Sequence, residues 1–360
     1  MIKDILEFFV KEKFYTLMSG ILIALYAFFL LSPHYKNPPL KKSAAVEHFH
    51  QAEAKLESKI KKAGSFENYL KDRPLLSGTF DILSIFLVIA FGAGLFIDFF
   101  FLFRPAWRKT LFLGPPPQTT PWKFSMLFKV IVLFITVSLL LSLVLNGVEG
   151  LFHSKSSNNF VLLLHTTLVD IVCFLLILWI TRKENGNWKD LGLQVPSGKP
   201  FQEVLMGWGA YAAILPVFAL ILVALIYVAN LFHYEPPPHP LVSVFLEEEK
   251  RSPALIFYSV FLAVVFGPIF EEIFFRGFCY PIFKKKFGRT AAMALSSSFF
   301  ALIHDNTFAF WPIFILGMVL VYVYEKRGSL IPSMVLHITH NSIFIFYFFL
   351  AKNVVAREAG

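Results

Sequence analysis

Apolar runs occupy residues 14–31, 79–103, 125–147, 159–181, 204–232, 253–283, 291–304, 308–324 and 330–351. Most approach or exceed the length of about 20 residues that crosses a bilayer core. In lipid, every backbone N–H and C=O must be satisfied without water, so a chain of this pattern folds as packed helices. Composition points the same way. The chain is 56% hydrophobic and only 16% charged, whereas soluble domains carry about 25% charged residues. The expectation is an all-α, polytopic transmembrane helical bundle of about eight to nine spans, with a polar site buried among the C-terminal spans.

The net charge of +9 raises the question of nucleic acid. Lys and Arg instead fall in short clusters between apolar runs, which is the pattern of membrane topology. The clusters are Lys3, Lys11 and Lys13; Arg104, Arg108 and Lys109; Arg182, Lys183 and Lys189; Lys284, Lys285, Lys286 and Arg289; and Lys326 with Arg327. They occupy every second connection. The positive-inside rule then sets the N-terminus in the cytoplasm and the C-terminus outside, in a multi-pass protein of the plasma (inner) membrane. Cys173 and Cys279 both lie inside apolar runs, which favours packed thiols over a disulfide framework.

Residues 1–13 read as a short amphipathic helix at the membrane surface. The first apolar run ends in Ser32-Pro33-His34 without a small-x-small cleavage site, so it reads as an uncleaved signal anchor. The polar segment 35–77 is long for a loop and should carry its own structure. A helix is expected over Ala44 to Ala63, with Glu47, Glu53, Lys55, Glu57, Lys59 and Lys61 on its wet face. That segment is either a solvated hairpin or a cap over the membrane site. Runs 291–304 and 308–324 are short and meet at His304 and Asp305, so a broken or re-entrant pair is an alternative to two spans. Pro115 to Pro117 and Pro236 to Pro238 are stiff, extended links. The division expected is an N-terminal transmembrane region, 1–200, carrying the 35–77 extramembrane loop, and a C-terminal core, 201–360.

That core holds ionisable groups at membrane depth. Glu271, Glu272 and Arg276 sit inside the run from Pro253 to Phe283. An ionised side chain there costs roughly 2.5 to 3.5 kcal/mol on insertion scales. On a helix, Glu272 and Arg276 are four apart and can pair. Glu271 points about 100° away, which leaves it as the carboxylate for proton transfer. A Glu–Arg pair that only pins packing is the plain alternative. His304 closes a short apolar run, where a lone histidine is more often a packing residue. His337 and Asn341 are four apart and share a face. His340, three residues from His337, ranks below it. Together these supply a base, two imidazoles and an amide, the inventory of a water-activating hydrolase. Ser297, Ser298 and Ser342 lack a nucleophile-elbow context, and no His-Glu-x-x-His pair is present.

The ordered motifs Glu-Glu-x-x-x-Arg at 271–276, Phe-x-x-x-His at 300–304 and His-x-x-x-Asn at 337–341 resemble the CAAX protease and bacteriocin-processing (CPBP, or Abi) family. These are intramembrane endopeptidases that include the eukaryotic CAAX prenyl protease 2. Pro268, Gly277 and the approach Gly328-Ser329-Leu330-Ile331-Pro332-Ser333 fit the same pattern. The resemblance covers roughly 250–350. It implies that Glu271 activates water with His304. It further implies that His337 and Asn341 stabilise the oxyanion, and that Glu272 and Arg276 hold the base in place. It leaves two cofactor arrangements open: zinc on Glu271, His304 and His337, or a metal-free glutamate mechanism. The implied partner is a membrane-anchored or lipidated peptide or protein, in the lipid bilayer. A non-catalytic immunity or partner-binding protein, or a transporter, is the competing class. Transporters commonly show matched repeats, and none is evident here.

Overall fold

The computed structural model describes residues 8–31, 44–104, 120–152, 158–196, 198–234, 240–248 and 252–356. All regular structure among them is helical. The expected surface helix falls largely on residues 1–7, outside the described set, as do Arg108, Lys109 and the proline clusters at 115–117 and 236–238.

Among the described residues, six helices are long and apolar enough to cross a membrane: Pro74–Phe103, Phe124–Leu145, Asn159–Lys183, Pro200–Leu231, Pro253–Phe287 and Ile331–Val355. The chain is an integral membrane protein. Three of the expected runs fall outside this set, two of them for physical reasons. The first forms the 19-residue apolar helix Lys13–Leu31. Arg289–Leu302 has 14 residues, about 21 Å at 1.5 Å per residue, against a hydrocarbon core of about 30 Å. Phe310–Arg327 closes on Glu325, Lys326 and Arg327, so its apolar part is shorter than its 18 residues. A turn separates these last two helices, with Asp305 at φ 46°.

The chain forms two compact units. The first comprises Met1–Lys41, Gln118–Leu193 and Ile269–Ser296; the second comprises Lys42–Pro117, Gln194–Pro268 and Ser297–Gly360.

In the first unit, Lys13–Leu31 packs beside Phe124–Phe152. Lys129 pairs with Glu12 at 2.6 Å, and its ammonium lies over the Tyr15 ring. Phe124–Phe152 also runs against Asn158–Lys183, where His165 Nε2 meets the Ser138 carbonyl at 3.0 Å. Phe124 anchors Tyr280–Phe287 through ring contacts to Phe283 and Phe287. Lys286 lies over the Phe124 ring at 4.2 Å.

In the second unit, Pro200–Leu231 packs on both Pro74–Phe103 and Ile331–Ala356. The contact with Ile331–Ala356 is close. A Cβ at Gly207 would stand 2.7 Å from the Pro332 carbonyl oxygen and 2.7 Å from the Val335 Cβ. The start of Pro200–Leu231 is tied to the turn before Ile331–Ala356. Arg327 Nε donates to Glu203 Oε2 at 3.1 Å and Arg327 Nη2 donates to Oε1 at 2.5 Å. Gln194 Nε2 donates to the Gly328 carbonyl at 3.0 Å, and Ser329 Oγ donates to the Gln194 carbonyl at 2.7 Å. Gly328 takes φ 63°, the left-handed conformation that ends the preceding helix.

The polar segment of this unit is helical at Ala44–Ala63, and the six charged residues expected on its wet face are exposed. A short helix, Phe66–Leu70, follows. Ser65 caps it by accepting the Asn68 N–H at 3.1 Å. Tyr69, Leu70 and Leu76 bury against Val354, with Leu56, Ile60 and Phe80 around them. The hairpin is thus docked on the end of the last helix.

Candidate active site

The stretch Pro253–Phe287 departs twice from α-helical register. Leu262–Phe266 and Ile273–Cys279 are π-helical and flank the α-helical turn Gly267–Glu272. Their signature bonds skip five residues: Gly267 N–H to the Leu262 carbonyl, and Tyr280 N–H to the Phe275 carbonyl. Such turns concentrate at functional sites, because the extra residue re-aims the side chains beside it.

In the first unit, the two glutamates differ in environment. Glu272 is fully buried, and Arg276 Nη1 donates to its Oε1 at 2.9 Å, with the Arg276 side chain 1% exposed. This is the i,i+4 pairing expected from spacing. Glu271 is half-buried instead. Its charge interacts with that of Asp170 on the neighbouring helix Asn158–Lys183. One turn further on, Phe174 meets Phe270 edge-on, ring centroids 5.2 Å apart. Asp170 was missed in reading the sequence, although an acid inside an apolar run is itself a signal.

Two side chains fasten the second π-helical turn. Ser296 Oγ donates to the Phe275 carbonyl at 3.1 Å. Trp122 Nε1 donates to the Phe278 carbonyl at 3.4 Å, and its ring stacks on that of Phe278 at 5.7 Å. Both residues are buried.

In the second unit, the histidines gather around Phe300. The Phe300 ring is fully buried and meets His304 at 4.8 Å and His337 at 5.6 Å between centroids, both edge-on. His304 stands in the turn just past Leu302, and its Nδ1 lies 2.7 Å from the Phe300 carbonyl. A carbonyl only accepts, so Nδ1 carries the hydrogen and Nε2 the lone pair. His304 is half-buried and His337 is 2% exposed. Asn341, one turn past His337, donates from Nδ2 to the Ala263 carbonyl at 2.8 Å, inside the first π-helical turn. An amide nitrogen carries two hydrogens, so one N–H of Asn341 remains for a further acceptor. His340 is directed elsewhere, among the rings of Tyr211, Phe218 and Phe344.

The structure therefore pairs Glu272 with Arg276 in one unit, with Asp170 in electrostatic range of Glu271. It unites His304, His337 and Phe300, with Asn341 one turn on, in the other. Among the described residues, no group of three or more His, Cys, Asp or Glu side chains is gathered to hold a metal ion.

Residues 253–343 match the family described as Type II CAAX prenyl endopeptidase Rce1-like. By this match the segment 253–343 is similar to the CAAX protease family. The matched segment spans about a quarter of the chain and contains all six motif residues, Glu271, Glu272, Arg276, His304, His337 and Asn341. The family is one of endopeptidases, so a CAAX protease of this kind acts on a membrane-associated peptide. No curated protein and no solved structure matches the chain.

Proposed function

We propose that this protein hydrolyses a peptide bond of a membrane-anchored or lipidated substrate, with Glu271 as the base that activates water. The observation that carries the reading is the division of roles between adjacent glutamates. Glu272 is buried and bonded to Arg276, a structural pair. Glu271 is half-buried on the next face.

In this reading the water hydrogen-bonds to Glu271 and to the lone pair on His304 Nε2. Glu271 takes a proton as the water oxygen bonds to the scissile carbonyl carbon. The oxyanion so formed accepts hydrogen bonds from His337 and from the remaining N–H of Asn341. Glu271 then returns its proton to the leaving amine as the C–N bond breaks. The resemblance also admits zinc held by Glu271, His304 and His337, which would polarise the water when bound. The proposed setting is the plasma membrane, with the N-terminus in the cytoplasm, as the basic clusters favour.

The test is cleavage of a library of membrane-anchored and lipidated peptides by purified full-length protein, followed by mass spectrometry. Glu271→Gln runs alongside, and each is assayed with and without a zinc chelator. Cleavage that vanishes in Glu271→Gln and survives the chelator is the expected result. Loss on chelation that zinc restores would replace the metal-free route with a zinc one. Binding of a peptide without cleavage by a folded protein would transfer support to a partner-binding role.

A further inference from the structure

We propose that Ser296 and Trp122 are positioning residues for Glu271, acting by holding Ile273–Cys279 in its π-helical register. The inference rests on the reading of Glu271 as the base. Its starting point is the backbone. A π-helical turn carries one residue more than the α-helix needs, and each residue turns the chain by roughly 100°. If the turn relaxed to α-helical register, everything on one side would rotate against the other by that amount. The C-terminal side, Tyr280–Phe287, is anchored in the first unit by Phe124 on Phe283 and Phe287. The rotation would then fall on Glu272 and Glu271, and would carry Glu271 away from Asp170.

The register has to be held by donors other than water, since the segment is buried from Phe275 to Cys279. A carbonyl oxygen has two lone pairs. At Phe275 the Tyr280 N–H takes one and the Ser296 hydroxyl the other. Ser296 is 1% exposed. At Phe278 the Trp122 indole N–H reaches the carbonyl while the two rings stack with 25° between their planes. Trp122 is fully buried and lies outside the family-matched segment, 156 residues from Phe278. Two side chains from separate stretches of chain thus converge on the carbonyls of one short turn, directly after the paired glutamates.

The experiment compares full-length wild type with Ser296→Ala, Ser296→Thr, Trp122→Phe and Glu271→Gln, reconstituted in nanodiscs. Trp122→Phe keeps an aromatic ring, though a smaller one, and removes the donor. Three quantities are read: hydrogen exchange of the 273–280 amides, modification of Glu271 by a hydrophobic carbodiimide, and kcat and KM on a cleaved peptide. Ser296→Ala and Trp122→Phe are expected to speed exchange across 273–280 by about tenfold. They should change the Glu271 modification rate and lower kcat by about 10- to 100-fold with KM within about twofold, as misplacement of a reacting group does. Ser296→Thr, which restores a hydroxyl, is expected to recover most of kcat. Unchanged exchange in both donor-deleted variants would overturn the proposal. So would faster exchange with the Glu271 modification rate and kcat both unmoved. Full activity in Glu271→Gln would instead defeat the catalytic reading, and exchange and modification would still decide the clamp.

Discussion

Arg327→Met should destabilise the protein far more than the removal of both partners of its ion pair. Glu203 has no exposure and Arg327 has 8%, and two N–H···O bonds join them, at 3.1 and 2.5 Å. Deleting the guanidinium leaves a carboxylate sealed from water without the two bonds that Arg327 donates to its oxygens. Breaking a buried pair in this way costs about 3–5 kcal/mol, whereas replacing both members by apolar groups of similar volume is often neutral. At about 2 °C per kcal/mol, the lower end of the range for larger domains, the single variant should melt about 6–10 °C below wild type. Glu203→Leu combined with Arg327→Met should melt within about 2 °C of it. The assay is thermal unfolding in detergent, followed by tryptophan fluorescence, on the wild type, both singles and the double. The geometry makes the contrast sharp because Gln194 and Ser329 still hold the same turn in every variant. A single-variant shift under about 2 °C, or a double melting below both singles, would refute the reasoning.

The two glutamates should separate by assay: Glu272→Gln lowers the melting temperature, whereas Glu271→Gln keeps it and loses about 10²- to 10⁴-fold in kcat. Arg276→Lys keeps a positive charge but not the directed N–H geometry of the guanidinium, so both its melting temperature and its kcat should fall. Gly207→Leu forces a side chain against Pro332 and Val335, where a Cβ already stands 2.7 Å from the carbonyl, and should cost about 1–3 kcal/mol in the same melts.

Much of the fold was legible because lipid leaves the backbone little choice: a long apolar run in a bilayer becomes a helix. The Glu272–Arg276 pair was legible for a local reason, since spacing by four closes one helical turn. The runs at 291–304 and 308–324 were harder: their shortness was legible, but whether they made two spans or a broken pair was not. The Glu203–Arg327 pair joins residues 124 apart, and no local pattern announces it. The π-helical turns are hidden for a similar reason: donors on Ser296, Trp122 and Asn341 meet their carbonyls, and these come from distant parts of the chain. His304 and His337 could be nominated from their motifs. That both lean on the edge of one phenylalanine, Phe300, emerges only from packing. Asp170 was within reach of the criterion that singled out Glu271, since it also stands inside an apolar run.

The central claim is that Glu271 and His304 activate one water molecule. The measurement that tests it most directly is a double-mutant cycle on kcat for peptide cleavage, using Glu271→Gln, His304→Gln and the two combined. Groups that act as a unit are strongly non-additive. The account predicts that either single variant loses about 10²-fold or more, and that the double is no slower than the worse single within about threefold. Wild-type turnover in Glu271→Gln, or losses that multiply in the double, would contradict it.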